Sequence, residues 1–274
     1  MKKFSDKHFS LFGVYLVMRK KVGLVLGAGG ARGFCHIGVL EVLQEAGIPI
    51  DIVTGCSMGA MIGGGFVAGV SCAQMRERAN RVTMRQVFDI DILNLRSKGG
   101  LARGNRAMKI AKQFVGETRI EDCLIPFCAI ATDLRSHSLY TFRTGPVYEA
   151  IRASISIPGV FHPVHYHDRL LVDGGLLKRM PIQEARDLGA DIIIAVDAIG
   201  PPNELSSTST LGILDISYQV IDWRSAQYEG KEADVLIVPQ MGSRSSLVFR
   251  RNEEAIQAGR EATLKALSEI KKLL

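Results

Sequence analysis

An α/β architecture, a mostly parallel sheet with helices on both faces, is predicted by three observations. Short apolar runs alternate with segments of helical period along the chain. The run Val22 to Leu26 ends in glycines, as a buried parallel strand does where it feeds a helix. No Pro/Ser-rich stretch breaks the alternation except Pro201 to Thr210, which is short for a linker and reads as a surface loop. With 274 residues, 47% hydrophobic, the chain is long enough to bury a sizeable core. Residues 21–274 are expected to form one domain behind an N-terminal extension, 1–20. There is no solenoid-type repeat and no low-complexity tract.

The first helix is placed at Phe34 to Ala46, closed by Gly47 and Pro49. A second strand, Ile50 to Thr54, breaks at Gly55, and a small-residue helix follows from Met58 to Val70. Further strands are expected at Phe127 to Thr132, Ser138 to Phe142, Leu170 to Val172, Ile192 to Val196 and Val235 to Val238. Helices are expected over Arg76 to Arg85, Arg106 to Val115, Val147 to Ala153, Pro181 to Leu188, Leu211 to Gln227 and Asn252 to Lys272.

The N-terminus carries Lys2-Lys3 and then a mostly apolar run, Phe9 to Met18. It is a poor match to a secretion signal, because the run has no small-residue cleavage site and leads into Arg19-Lys20-Lys21 and a core strand. It is also too short to span a bilayer. The expectation is a start at Met18, or a loosely attached extension over residues 1–17.

A net charge of +6 favours anionic partners at long range. The basic residues are scattered, however, and no stripe interleaved with aromatics marks a nucleic-acid face, so no nucleic-acid partner is expected. Five cysteines (35, 56, 72, 123, 128) without paired C-x-x-C spacing indicate neither a zinc site nor a disulfide framework. They read as reduced thiols of a cytoplasmic protein.

Two glycine-bearing turns carry the chemistry. The cluster Gly27-Ala28-Gly29-Gly30-Ala31-Arg32-Gly33 lies between the first strand and helix. Such a turn serves a dinucleotide pyrophosphate, an oxyanion, or simply close packing of helix on strand. The dinucleotide reading lacks its acidic residue at the end of the second strand, where Val53-Thr54-Gly55-Cys56-Ser57 stands, and Ala28 breaks the strict glycine spacing. The second turn, Gly55-Cys56-Ser57-Met58-Gly59, is a G-x-S-x-G run between strand and helix. That context exposes a serine at the carboxyl end of a sheet. A plain helix-capping serine is the alternative.

A serine nucleophile needs a base. Ser57, Asp133 and one of His162, His165 or His167 satisfy the order of an α/β-hydrolase triad. Asp173, leaving a strand in Leu171-Val172-Asp173-Gly174-Gly175, is the other candidate. No histidine follows it, so it would have to act on the serine directly. Spacing alone leaves both open.

Four blocks in order, Gly29-Gly30-Ala31-Arg32-Gly33, Gly55-Cys56-Ser57-Met58-Gly59, Ala153-Ser154-Ile155-Ser156-Ile157-Pro158 and Asp173-Gly174-Gly175, resemble the patatin-like phospholipase family. The likeness runs from Val22 to Asp197. It implies a three-layer α/β/α fold with a mostly parallel sheet and a Ser-Asp dyad that hydrolyses lipid acyl esters with no metal or organic cofactor. Carried over by position, Ser57 is the nucleophile and Asp173 the base. Amides around Gly29 and Gly30 form the oxyanion hole, with Arg32 orienting the loop or offsetting charge. Asp133 then becomes structural and His162 to His167 a polar loop. Ala28 stands where relatives often have glycine, and Arg135-Ser136-His137 where many turn on Thr-Gly. The implied substrate is a phospholipid or lysophospholipid, reached by peripheral contact with a membrane. Met61 to Val70 and Val87 to Leu95 are read either as core or as an acyl groove, and residues 96–105 as a mobile connection near the site. An idle regulatory relative and a triad esterase on soluble esters are the competing functions.

Overall fold

A computed structural model of the chain describes residues 19–91, 99–202, 208–242 and 249–274. The proposed start at Met18, the apolar run before it, residues 92–98 of the groove and connection, and 203–207 of the long loop lie outside the described residues.

The strands are β1 (Val22–Leu26), β2 (Ile52–Cys56), β3 (Gly100–Ala102), β4 (Phe127–Asp133), β5 (Ser138–Phe142), β6 (Gly159–Phe161), β7 (Val164–Tyr166), β8 (Arg169–Asp173), β9 (Ile192–Val196) and β10 (Val235–Ile237). Among the described residues the main sheet has eight strands in the order β10-β9-β1-β2-β4-β8-β7, with β5 also on β4. β10, β9, β1, β2 and β4 run parallel, while β8 and β5 run antiparallel to β4. The β3–β6 pair stands apart.

The helices are α1 (Cys35–Glu45), α2 (Met58–Val67), α3 (Cys72–Arg81), α4 (Met84–Val87), α5 (Asn105–Val115), α6 (Val147–Ser154), α7 (Ile182–Asp187), α8 (Thr210–Glu229) and α9 (Asn252–Leu273). Alternation along β1 sorts them into layers, since successive strand side chains point to opposite faces. Val22, Leu24 and Leu26 face a core shared with α1, α2, α6 and α9. Val25 faces the other side, against Ile182 and Ala185 of α7 and Ala226 of α8. The result is a three-layer α/β/α fold, as the sequence implies.

The differences from the sequence reading are local. β2 begins two residues later than expected and continues through Gly55 to Cys56. α3 begins at Cys72 rather than Arg76, because Ser71 and Gln74 form a capping box, and Thr83 with Gln86 repeats the device at α4. The His162 to His167 stretch is no loop throughout. Its Val164–Tyr166 pairs with β8, and His167 turns the hairpin at φ +53°. α2 is core on one side, with Ile62, Gly63 and Gly64 buried, and Val87 and Phe88 pack against Ala102, Ala107 and Phe161. Of the supposed connection, residues 100–102 form β3 and Asn105 opens α5.

Candidate active site

β4 is the ruler on which the site is built. Its first half pairs with β2, where Cys56 lies opposite Ile130, and its second half with β8, where Asp173 lies opposite Ala131. β5 occupies the other edge of β4 over residues 129–133. β2 and β8 therefore meet end to end along one edge, each with its carboxyl terminus at the junction. The residue after Cys56 is Ser57, so the topology delivers the serine to the aspartate although 116 residues separate them.

Ser57 Oγ donates to Asp173 Oδ2 at 2.6 Å, and both residues are only 4% exposed. The Gly175 amide donates to Asp173 Oδ1 at 2.8 Å, and the Cys56 thiol sits 3.7 Å from the same oxygen. Burial pushes the Asp173 carboxyl up to about 6, against the hydrogen bonds from Ser57, Gly175 and Cys56, which pull it down. A base with its affinity raised in this way is better matched to a hydroxyl proton than an ordinary carboxylate.

Ser57 has φ +55° and ψ −122°, a left-handed conformation that costs a non-glycine residue roughly 1–3 kcal/mol. The turn is held by packing. A Cβ on Gly59 would lie 2.0 Å from the Leu26 carbonyl oxygen, so only glycine lets α2 start this close to β1. It is also held by Ser154 at the end of α6, whose Oγ accepts the Ser57 amide at 2.8 Å. Two residues on, the Ser156 carbonyl accepts the Asp173 amide at 2.9 Å. The buried Arg152 guanidinium donates to Ser156 Oγ and to the carbonyls of Gly104, Arg103 and His162. One segment thus fixes the backbones of both partners.

The glycine loop closes the site from β1. Gly30 takes φ +50° as it opens a short 3₁₀ turn, Gly30–Phe34, and Gly33 packs on Met58, the residue after the serine. Ala28 is buried beside Gly175 and Cys56, so the alanine fills a small gap at the junction. Among the described residues the amides of Gly29 and Gly30 have no hydrogen-bond partner, as at the start of any helical turn. Arg32 is buried, with its guanidinium on the carbonyls of Ile199 and Gly242, contacts that suit it to fixing the loop. His36 donates from Nε2 to the Gly27 carbonyl at 2.8 Å, and burial pushes this imidazole down to about 4, keeping it neutral. Arg179 ties the loop to α8. Its carbonyl accepts the Ala28 amide at 3.1 Å, while its buried guanidinium pairs with Asp197 and with Asp222 of α8.

The triad constellation is not assembled. The Asp133 carboxylate accepts from the Ser136 hydroxyl, the Arg135 and Leu170 amides and Arg169, which hold it down at about 2. His162 Nε2 lies 3.8 Å from Asp91 instead, and His165 and His167 belong to the β7–β8 hairpin. Among the described residues none of the three bonds Ser57 or Asp133, and no cluster of His, Cys, Asp and Glu is placed to hold a metal ion. Sequence reasoning gave no role to Ser154, Arg152, His36 or Arg179. The Ser154 block was visible, but nothing in its spacing connects it with Ser57.

Residues 24–186 match the family model described as patatin-like phospholipase. The chain is 39% identical over 180 residues to an uncharacterized NTE family protein of Mycobacterium tuberculosis, covering 66% of this chain and 49% of that protein. It is 36% identical over 182 residues to the lysophospholipase nte1 of Emericella nidulans, covering 65% and 12%. The chain thus spans about half the length of the mycobacterial relative and a small part of the fungal one. In fold it is similar to VipD from Legionella pneumophila, with a TM-score of 0.57 at 14% identity over 91% of this chain and 67% of that one.

Proposed function

The chain belongs to the patatin-like phospholipase family, and from that premise we propose that it is a lipid acyl hydrolase of phospholipase A or lysophospholipase type, working through a Ser57–Asp173 dyad. The observation that carries this reading is the 2.6 Å hydrogen bond from Ser57 Oγ to Asp173 Oδ2 inside a buried junction. The lysophospholipase name of a relative supports the substrate class.

In the first step Asp173 Oδ2 takes the hydroxyl proton as Ser57 Oγ forms a bond to the ester carbonyl carbon. The carbonyl π-electrons move onto oxygen, where the Gly29 and Gly30 amides are the donors; one such donor is worth roughly 3–4 kcal/mol. Collapse of the intermediate breaks the C–O bond, and the leaving alkoxide, an alcohol or lysolipid, takes the proton from Asp173. Water then attacks the acyl-serine, giving its proton to Asp173. The same aspartate returns a proton to Ser57 as the fatty acid departs. Arg32 and His36 keep the loop in place through carbonyl contacts.

Release of fatty acid from lysophospholipid, measured beside fluorophosphonate labelling, tests the reading. Ser57→Ala should lose both labelling and hydrolysis, and Asp173→Asn should lose hydrolysis by about 10³-fold or more with the fold intact. Full activity in either variant sinks it.

A further inference from the structure

A surface helix of a globular protein turns its apolar stripe inward. α8 also carries large apolar residues on its outer side. Ile213, Val220, Ile221 and Tyr228 are 43%, 53%, 70% and 60% exposed, and they recur at the spacing that places them on one side of the helix. Toward the protein α8 sets Ala226 in the core, Asp222 on Arg179, and Glu229 where it accepts from Ser225 and from the Arg179 and Met180 amides. Val220, Trp223, Tyr228 and, from β10, the exposed Leu236 line a common groove of about 670 Å³, bordered by Arg224 and Lys231.

We propose that the outer face of α8 docks on an anionic lipid surface, with Val220, Ile221 and Tyr228 entering the headgroup boundary and Arg224 and Lys231 beside them. The proposal rests on the acyl-hydrolase reading, which requires the protein to meet aggregated lipid. Three observations favour a lipid surface as occupant. Exposed Val220, Ile221 and Tyr228 with the cations Arg224 and Lys231 alongside suit the boundary between acyl chains and headgroups. The net charge of +6 complements anionic headgroups. A second copy of the chain is a poorer fit. A 20-residue helix is about 30 Å long, and a stripe ~10 Å wide covers on the order of 300 Å², far below the ~800 Å² per partner of a stable interface. Among the described residues no helix is long and apolar enough to cross a membrane, so α8 would lie on the surface.

Trp223 is the chain's single tryptophan, and it sits in this groove, so its emission reports on the helix directly. The test uses full-length protein with vesicles of phosphatidylcholine alone or mixed with phosphatidylglycerol. Wild type should co-sediment with the mixed vesicles, and Trp223 emission should shift to the blue. Ile221→Asp and Val220→Asp should each weaken vesicle binding about tenfold or more, as expected when a charge replaces a buried aliphatic at the interface. Both should slow hydrolysis of vesicle lipid while leaving hydrolysis of a soluble short-acyl ester unchanged. Binding and emission unaffected by these substitutions would overturn the proposal. So would a wild-type dimer in solution that Ile221→Asp converts to monomer with vesicle binding intact. Vesicle binding without any ester hydrolysis would leave the docking face standing and remove the enzymatic reading.

Discussion

Cys56 and Asp173 occupy successive rungs on one edge of β4, opposite Ile130 and Ala131, on two strands that approach each other head-on. Ser57 and Asp173, the proposed nucleophile and base, are thereby spaced by the backbone repeat of a buried strand rather than by loops.

The first expectation concerns pH. In the proposed dyad Asp173 must be ionised to accept the Ser57 proton, and burial holds its carboxyl up at about 6. Turnover of a soluble ester should rise with pH through about 6 and level off above it. A profile set by an ordinary carboxylate, flat from about pH 5 upward, would contradict the role of burial.

Stability should move the other way. The folded protein holds this proton more tightly than the unfolded chain, whose carboxyl sits near 3.8. The stability that Asp173 contributes is therefore complete at low pH and is lost as pH rises from 3.8 to about 6. Asp173→Asn removes the buried charge, and the variant should exceed wild type by up to about 3 kcal/mol near pH 8 and by little near pH 4. Urea unfolding at the two pH values measures the difference.

Ser154→Ala leaves the buried Ser57 amide without its acceptor. The loss should be about 1–3 kcal/mol of stability. A fall of roughly tenfold or more in kcat should accompany it, since small displacements of a nucleophile are costly. KM should stay near wild type, and steady-state kinetics beside thermal unfolding separate the two effects.

Arg179→Met strips the shared cation from Asp197 and Asp222. Loss of one partner of a buried ion pair typically costs about 3–5 kcal/mol. Burial already raises the affinity of Asp222 for a proton, so the gap between variant and wild type should narrow as pH falls through the carboxylate range. Denaturant midpoints across that range check it.

Much of this molecule was legible in its sequence because its central strands are short, apolar and bounded by glycine. Ser138–Phe142 and Ile192–Val196 coincide with their expected limits. The glycine loop and the serine turn could be placed because a strand precedes each and a helix follows. Pairing Ser57 with Asp173 rather than Asp133 was a different matter. Both aspartates end a strand, Asp133 on β4 and Asp173 on β8, and the choice depends on which strand end meets the serine turn and on what surrounds the carboxylate. Asp133 is consumed by Ser136, Arg169 and two amides, and of these Arg169 and the Leu170 amide come from a strand more than thirty residues away. Ser154 and Arg179 escaped because their partners, Ser57 and Asp222, are distant in the chain. The short strands β3, β6 and β7 are three residues each, too brief for alternation to be seen.

Arg179 joins two parts of the molecule that the sequence keeps far apart. Its side chain grips Asp222 on α8, and its own carbonyl holds the Ala28 amide in the glycine loop. The helix proposed to meet lipid and the loop beside the serine are thus tied to each other through the side chain and the carbonyl of one residue.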